Sequence, residues 1–204
     1  MTDSRLQNPI KNGRSRAVIE AVSPQIDGGR YPIKRVIGES VCVEADIVSD
    51  GHDQLLAILK IRPPRTRKPA EVPMELDVND RWTGSFKVTE LGVYEYTVEA
   101  WVDRFKSWRH DLKKRVAADQ DVSVEVLVGI ELVEAAARRA RGTEAKALRA
   151  ALKGLKASDK VTLEERIQRV LEEELAALMA RNADRRFTTE ASPWLRVTVD
   201  PELA

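Results

Sequence analysis

Prolines and aromatic residues are confined to the two ends of this 204-residue chain. No proline lies between Pro73 and Pro193, and no aromatic residue lies between Trp108 and Phe187. Proline is tolerated in turns and at sheet edges but breaks helix interiors, whereas aromatic residues favour strands. The chain is therefore predicted to pass from a β region into a helical region and back.

The amino-terminal half contains short apolar segments typical of an antiparallel sandwich. Between residues 41 and 47, apolar and polar residues alternate as in a half-buried strand. The Asp50-Gly51 pair predicts a turn after it, and the prolines between residues 62 and 73 predict a loop. The predicted strands are residues 16–22, 41–47, 54–61, 74–78, 85–88 and 93–102.

Helical spacing dominates from about residue 105 to residue 185. Asp121 is predicted to cap an apolar helix, Gly142-Thr143 to separate it from the next, and Thr162 to form a capping box with Glu165. One stripe at helical spacing follows the box, namely Leu163, Ile167, Leu171, Leu175 and Leu178.

Residues 194–199 regain β character and most simply rejoin the earlier sheet, so the helices are predicted to be an insertion. The predicted organisation is a disordered leader (residues 1–15), a β-sandwich (residues 16–103 plus 187–199), an inserted helical bundle (residues 104–186) and a linker (residues 200–204). The predicted fold class is thus α+β, mainly β.

Composition excludes several classes of function. The 34 Lys and Arg residues balance 33 Asp and Glu residues, which excludes nucleic-acid binding through bulk charge. With Cys42 as the one cysteine and His52 and His110 as the two histidines, a disulfide framework or a protein metal cage is not expected. The sequence shows neither a signal peptide nor an apolar run that would span a bilayer, so we expect a cytoplasmic protein without a membrane partner.

Enzymatic motifs are not found in the sequence. It contains no G-x-S-x-G, G-x-x-x-x-G-K or H-E-x-x-H pattern, and no carboxylate pair has recognisable catalytic spacing. His52 is interpreted as an exposed turn residue, His110 as a polar helix-face residue and Cys42 as a small packing residue. We therefore predict no catalytic, cofactor-binding or metal-binding residue in this chain.

Two groups of side chains are candidates for binding. The basic loop residues Arg62, Arg65, Arg67 and Lys68 could form a nucleic-acid arm or a polyproline ligand, but a solvated hairpin loop is favoured. Trp101 is a candidate for stacking on a sugar ring. By alternation, Trp101 shares the polar face of its strand with Glu95, Thr97 and Glu99, where the inserted helices could equally cover it, and cover is favoured.

The motifs W-x-G-x-F (Trp82 to Phe86) and G-x-Y-x-Y (Gly92 to Tyr96) resemble the immunoglobulin-like modules that precede catalytic barrels in the alpha-amylase superfamily. More fully, NGRSRAVIEAVSPQIDGGRYPIKRVIGESVCVEADIVSDGHD and AWVDRFKSWRHDLKKRVAADQDVSVEVLVG are similar to the amino-terminal region of bacterial alpha-1,4-glucan:maltose-1-phosphate maltosyltransferases, of glycoside hydrolase family 13. The resemblance extends from about residue 16 to residue 199.

This resemblance implies an immunoglobulin-like sandwich with an inserted helical bundle, preceding a (β/α)-barrel that extends α-1,4-glucan from maltose 1-phosphate. The aspartate nucleophile and glutamate acid/base of that family belong to the barrel, so the chain alone should be inactive. It also implies a role in homodimer assembly and in supporting the barrel. The alternative is an independent glucan-binding module, in which Trp82 or Trp101 would stack on glucan. Burial of both rings would favour assembly.

The sequence offers one candidate surface for assembly. The helix from Val122 to Ala140 is apolar over much of its circumference. Such a helix needs partners on more than one side. One face could pack on the stripe that begins at Leu163, which leaves another face for the sheet or for a second subunit.

Overall fold

The computed structural model describes residues 15–156 and 161–201, which divide into two compact units. The first comprises the residues up to Gly51, Leu55–Val102 and the residues from Phe187 onward, and the second comprises His52–Gln54 and Asp103–Arg186. The predicted leader, residues 1–15, lies outside the described residues except for Ser15. The predicted linker, residues 200–204, lies outside them after Pro201.

The first unit is formed by two sheets. Its strands are β1 (Ala17–Ser23), β2 (Ile33–Val36), β3 (Ser40–Ser49), β4 (Leu55–Arg62), β5 (Ala70–Pro73), β6 (Glu75–Leu76), β7 (Arg81–Lys87), β8 (Gly92–Val102), β9 (Thr189–Glu190) and β10 (Leu195–Asp200). One sheet has the order β1-β3-β7-β6, and the other has the order β2-β10-β8-β4-β5, with β9 also paired to β8. Inward-facing residues of both sheets form one hydrophobic core.

Strand alternation places the core as predicted. In β3, the side chains of Val41, Val43 and Ile47 are at most 1% exposed, whereas that of Cys42, between two of them, is exposed. In β8, Tyr94 and Tyr96 are buried in the same core. The predicted sandwich with helices inserted between β8 and β9 is confirmed.

Two strands of the second sheet differ from the prediction. β2 was not predicted, and it pairs parallel with β10, so the sandwich is not wholly antiparallel. Residues 62–73 were predicted to be a loop, yet Ala70–Pro73 pairs with β4 as a strand at the edge of the sheet. Pro73 is compatible with this position because an edge strand leaves one row of backbone groups without a ladder partner.

The second unit consists of helices. They are α1 (Arg104–Ala117), α2 (Ser123–Arg139), α3 (Gly142–Lys156), α4 (Leu163–Leu171) and α5 (Glu173–Arg181). Within the described residues between 121 and 179 there is no strand, as predicted. The predicted capping box is also confirmed, because the Thr162 hydroxyl accepts from the Glu165 amide while the Glu165 carboxylate accepts from the Thr162 amide, both at 3.2 Å.

Three predicted helix boundaries are wrong. Val122, not Asp121, occupies the N-cap of α2, although the Asp121 carboxylate accepts a hydrogen bond from the Ser123 amide at 3.0 Å. Thr143 lies inside α3, which already begins at Gly142. The stripe that begins at Leu163 does not belong to one helix, because the backbone is extended at Glu172 (φ −60°, ψ 134°).

Candidate functional site

The two tryptophans proposed for glucan stacking are both buried. Trp82 on β7 is 4% exposed, and its side chain belongs to the core of the sandwich. Trp101 on β8 is 2% exposed. A ring that stacks on a sugar must present one face to solvent, so these positions favour the assembly hypothesis over glucan binding.

The other polar candidates lie on the surface without forming a site. His52, His110 and Cys42 are exposed and lie on different elements. In the described parts of the chain, no group of three or more His, Cys, Asp or Glu side chains is arranged to hold a metal ion.

The predicted basic loop separates into two parts. Arg65, Arg67 and Lys68 are exposed in the connection between β4 and β5. Arg62 is instead the last residue of β4, and its guanidinium donates a hydrogen bond to the Glu95 carboxylate on β8. Three cations therefore remain in the loop, which agrees with a solvated turn.

A partly buried ionic cluster, which the sequence did not reveal, lies on the outer face of the second sheet. The ammonium group of Lys60 on β4 lies 2.9 Å from a Glu99 carboxylate oxygen on β8 and contacts the Glu190 carboxylate on β9. The side chains of Lys60 and Glu99 are 16% and 12% exposed. Burial opposes the charge of Lys60, but hydrogen bonds from its ammonium group to Glu190 and Glu99 raise its pKa above the ordinary value.

Trp194 completes this cluster. The Arg62 guanidinium lies 4.2 Å from the centre of the indole ring, at cation–π distance, and the indole Nε1 donates to the Glu190 carboxylate at 3.2 Å. Strand alternation alone places Lys60 and Arg62 on one face of β4. Glu190 and Trp194 could not be assigned to them because they come from a segment more than 120 residues away. Each cation of the cluster is paired with a carboxylate, and the contacts tie the returning chain to β4 and β8, which indicates a structural role.

An exposed apolar surface lies on α2. Val124, Leu127 and Val128 are 67%, 55% and 44% exposed, and their spacing places them on one side of the helix. The opposite side of α2 is buried in the bundle core, with Val126 and Val133 at 1% and 0% exposure. We call these three exposed residues the α2 surface. The sequence predicted that one face of this helix would be left for the sheet or for a second subunit, but it did not identify the residues of that face.

The chain matches the family model of alpha-1,4-glucan:maltose-1-phosphate maltosyltransferase, domain N/S, over residues 15–201. It belongs to this family. The resemblance found in the sequence is thereby confirmed, and the two units described above are the sandwich and helical parts of the domain N/S region.

Proteins named alpha-1,4-glucan:maltose-1-phosphate maltosyltransferase are similar to this chain along most of its length. The Chlorobaculum tepidum protein is 40% identical over 202 residues, covering 98% of this chain and 29% of the relative. The Rhodospirillum rubrum protein is 40% identical over 203 residues, covering 92% of the chain and 29% of the relative. The chain therefore spans less than a third of the length of these relatives.

Within this family region, the α2 surface is the strongest candidate for a functional contact. The ionic cluster has its partners inside the sandwich, and the two tryptophans are buried. None of the helices in the described residues is both long and apolar enough to cross a bilayer.

Proposed function

We propose that this chain is the non-catalytic assembly module of a maltosyltransferase that extends α-1,4-glucan from maltose 1-phosphate. In this proposal, it forms a homodimer in the complete enzyme and supports a catalytic barrel in the same polypeptide. Family membership supports the barrel, because the relatives are more than three times as long as the region matched here.

The α2 surface is the observation that carries the assembly role. Three large aliphatic side chains lie side by side on a helix whose other face already fills the bundle core. Complete burial of such a side chain contributes about 1.5–3 kcal/mol, and these three side chains, which are 44–67% exposed, could gain about half of that in a contact. In a twofold symmetric contact both subunits bury the same residues, so the apolar area of the α2 surface is buried twice. A small surface on each subunit can therefore contribute substantially to the stability of a dimer.

Burial of Trp82 and Trp101 supports assembly over the alternative of an independent glucan-binding module. A binding module for α-glucan needs accessible aromatic faces, and neither candidate ring supplies one. The proposal therefore assigns glucan and maltose 1-phosphate to the barrel and predicts that this chain alone neither hydrolyses nor elongates α-glucan.

Sedimentation velocity of the full-length enzyme and of this chain tests the proposal. Leu127→Glu places a charge at the centre of the α2 surface and should weaken dimerisation of the full-length enzyme tenfold or more, since about 1.4 kcal/mol corresponds to a factor of ten. Gln168→Glu introduces the same group at an exposed position of α4 and should leave the dimer unchanged.

The dimer interface should bury roughly 1,200 Å² or more in total. A full-length dimer whose interface contains no residue of this region, together with a monomeric chain at all concentrations, would defeat the assembly role. Retardation of this chain by amylose in native electrophoresis would favour the glucan-binding alternative instead.

A further inference from the structure

The break between α4 and α5 has no local cause in the sequence. Residues 163–181 contain neither proline nor glycine, and their apolar residues keep helical spacing throughout. Sharp helix interruptions usually occur at proline or glycine, or where another group inserts into the hydrogen-bond ladder. The extended backbone at Glu172 must therefore be held by contacts from elsewhere in the unit.

Arg109 of α1 supplies those contacts. One terminal nitrogen, Nη2, donates to the carbonyl of Leu171, the last residue of α4, and lies 2.6 Å from a carboxylate oxygen of Glu173, the first residue of α5. The other, Nη1, lies 3.2 Å from the second oxygen of Glu173. The Arg109 side chain is buried, with 9% exposure, whereas the Glu173 side chain that it contacts lies largely in solvent.

The hydrogen-bond partner of the Leu171 carbonyl differs between a continuous helix and the broken form. In a continuous helix, this oxygen would accept the amide of Leu175, four residues later. Here the guanidinium of Arg109 takes that place. A charged donor forms a stronger hydrogen bond than an amide, so Arg109 competes effectively with helix continuation.

Space is available for rearrangement at the same joint. A groove of about 230 Å³ that is open to solvent lies beside the break, lined by Ala151, Gly154, Leu155, Arg169, Glu172 and Leu175. The side chains that line this groove therefore have open space on one side of the joint.

We propose that the α4–α5 joint is a two-state conformational switch. Arg109 stabilises the broken form, and loss of its hydrogen bond to the Leu171 carbonyl allows one continuous helix over residues 163–181. The far end of α5 is held separately, since Arg181 and Asn182 both bond Glu144 of α3 at 2.8 Å and 3.0 Å. Straightening must therefore move α4 or release this second anchor. The broken form is the one that the structure shows.

Arg109→Met tests the role of Arg109 in the switch, because it removes the guanidinium hydrogen-bond donors while retaining an apolar side chain of similar length. Carbon-13 chemical shifts of the full 204-residue chain should change at Glu172 from extended to helical. Hydrogen exchange of the Leu175 amide should slow at least tenfold as it gains the Leu171 carbonyl. An unchanged extended shift at Glu172 and unchanged exchange at Leu175, in a variant that remains folded, would overturn the proposal.

Glu173→Pro provides the matched control. Proline suits the first position of a helix, and the preceding residue is already extended, as a residue before proline prefers. In the double variant Arg109→Met/Glu173→Pro, the break should return, because proline cannot be accommodated in the continuous form. A helical shift at Glu172 in the double variant would contradict the two-state description.

Relaxation dispersion on the unmodified chain keeps the test decisive if Arg109→Met does not fold. Exchange at Glu172 towards a helical shift is expected, and Glu173→Pro should abolish it. Absence of exchange in the unmodified chain, combined with an unfolded Arg109→Met variant, would assign Arg109 to stability alone and would overturn the proposal.

Discussion

The six-membered ring of Trp108 lies directly against the backbone of Gly129. A Cβ atom built on Gly129 would lie 2.2 Å from two carbons of the indole, and the indole Nε1 donates to the Glu125 carbonyl at 2.9 Å, one turn earlier on α2. Glycine at this position therefore sets the distance between α1 and α2. The exposed α2 surface depends on this contact, because Trp108 fixes which side of α2 faces the bundle.

Gly129→Ala should destabilise the chain by about 1–3 kcal/mol, because the added methyl group forces the rigid indole out of its position. Chemical denaturation followed by circular dichroism measures this loss. Gly154→Ala in α3 is the matched control, since its methyl group would meet only the end of the Arg169 side chain, at 3.1 Å, where Arg169 donates to the Gly154 carbonyl. The control should lose much less stability, because the end of a long side chain shifts more easily than an indole ring and alanine favours helix over glycine by about 1 kcal/mol. Equal losses in the two variants would contradict the packing argument.

Lys60→Met should cost about 3–5 kcal/mol of folding free energy, because it leaves the poorly exposed Glu99 carboxylate without its cation. Arg81→Met removes an ion pair with Asp46 whose side chains are 48% and 36% exposed, so water screens the interaction and its loss should cost far less. Urea denaturation of both variants measures the difference. A Lys60→Met variant as stable as Arg81→Met would show that the cluster does not anchor the returning chain.

Acid should destabilise the helical unit. Hydrogen bonds and neighbouring cations hold the pKa of four of its carboxyl groups below their usual range, namely Glu134, Glu144, Glu173 and Asp184. Such groups stabilise the fold when ionised, so their contribution is lost as pH falls below about 4.5. Burial raises the pKa of Asp103, despite hydrogen bonds from the amides of Phe105 and Lys106. Asp103 therefore acts against the other four groups, because its contribution to stability increases as the pH falls.

The melting temperature should accordingly fall between about pH 5 and pH 3. Glu144→Gln removes one of the four groups and should make this dependence shallower, although the variant is less stable at neutral pH. A melting temperature independent of pH over this range, or a steeper dependence in Glu144→Gln, would contradict the assignment.

Alkali should destabilise the sandwich through Tyr96. Burial raises the pKa of Tyr96 to about 12, and its hydroxyl donates to the Pro24 carbonyl. Because the folded state favours the neutral phenol, stability should fall as pH rises from about 10 towards 12. Ultraviolet titration should show one tyrosine that ionises only together with unfolding. In Tyr96→Phe that late step should disappear, and its persistence would assign it to another tyrosine.

Local patterns in the sequence predicted much of the fold. Alternation identified the inward-facing Tyr94 and Tyr96, and the Thr162–Glu165 box located the start of α4 correctly. These features were predictable because their physical causes lie within a few neighbouring residues. Proline and aromatic segregation likewise located the helical insertion.

Features that depend on distant partners were missed. β2 contains four residues, two of them cations, and becomes a strand through pairing with residues 197–200. The break at Glu172 depends on Arg109, and the ionic cluster joins Lys60 to Glu190. The α2 surface was partly predicted, because an excess of apolar residues is visible in one helix, but the choice of its exposed side depends on Trp108.

The position of β10 also determines the order in which the first unit can be completed during biosynthesis. β10 lies between β2 and β8, and β9 pairs with a later part of β8. Both strands follow the helical insertion in the chain, so they can pair with β8 only after the insertion has been synthesised. Until then, the backbone groups along one side of β8 lack their strand partners, and unpaired strand edges favour aggregation. Stalling before β10 has left the ribosome would therefore leave a nascent chain with an open sheet, and such chains would depend on chaperones more than chains stalled after β10 has emerged.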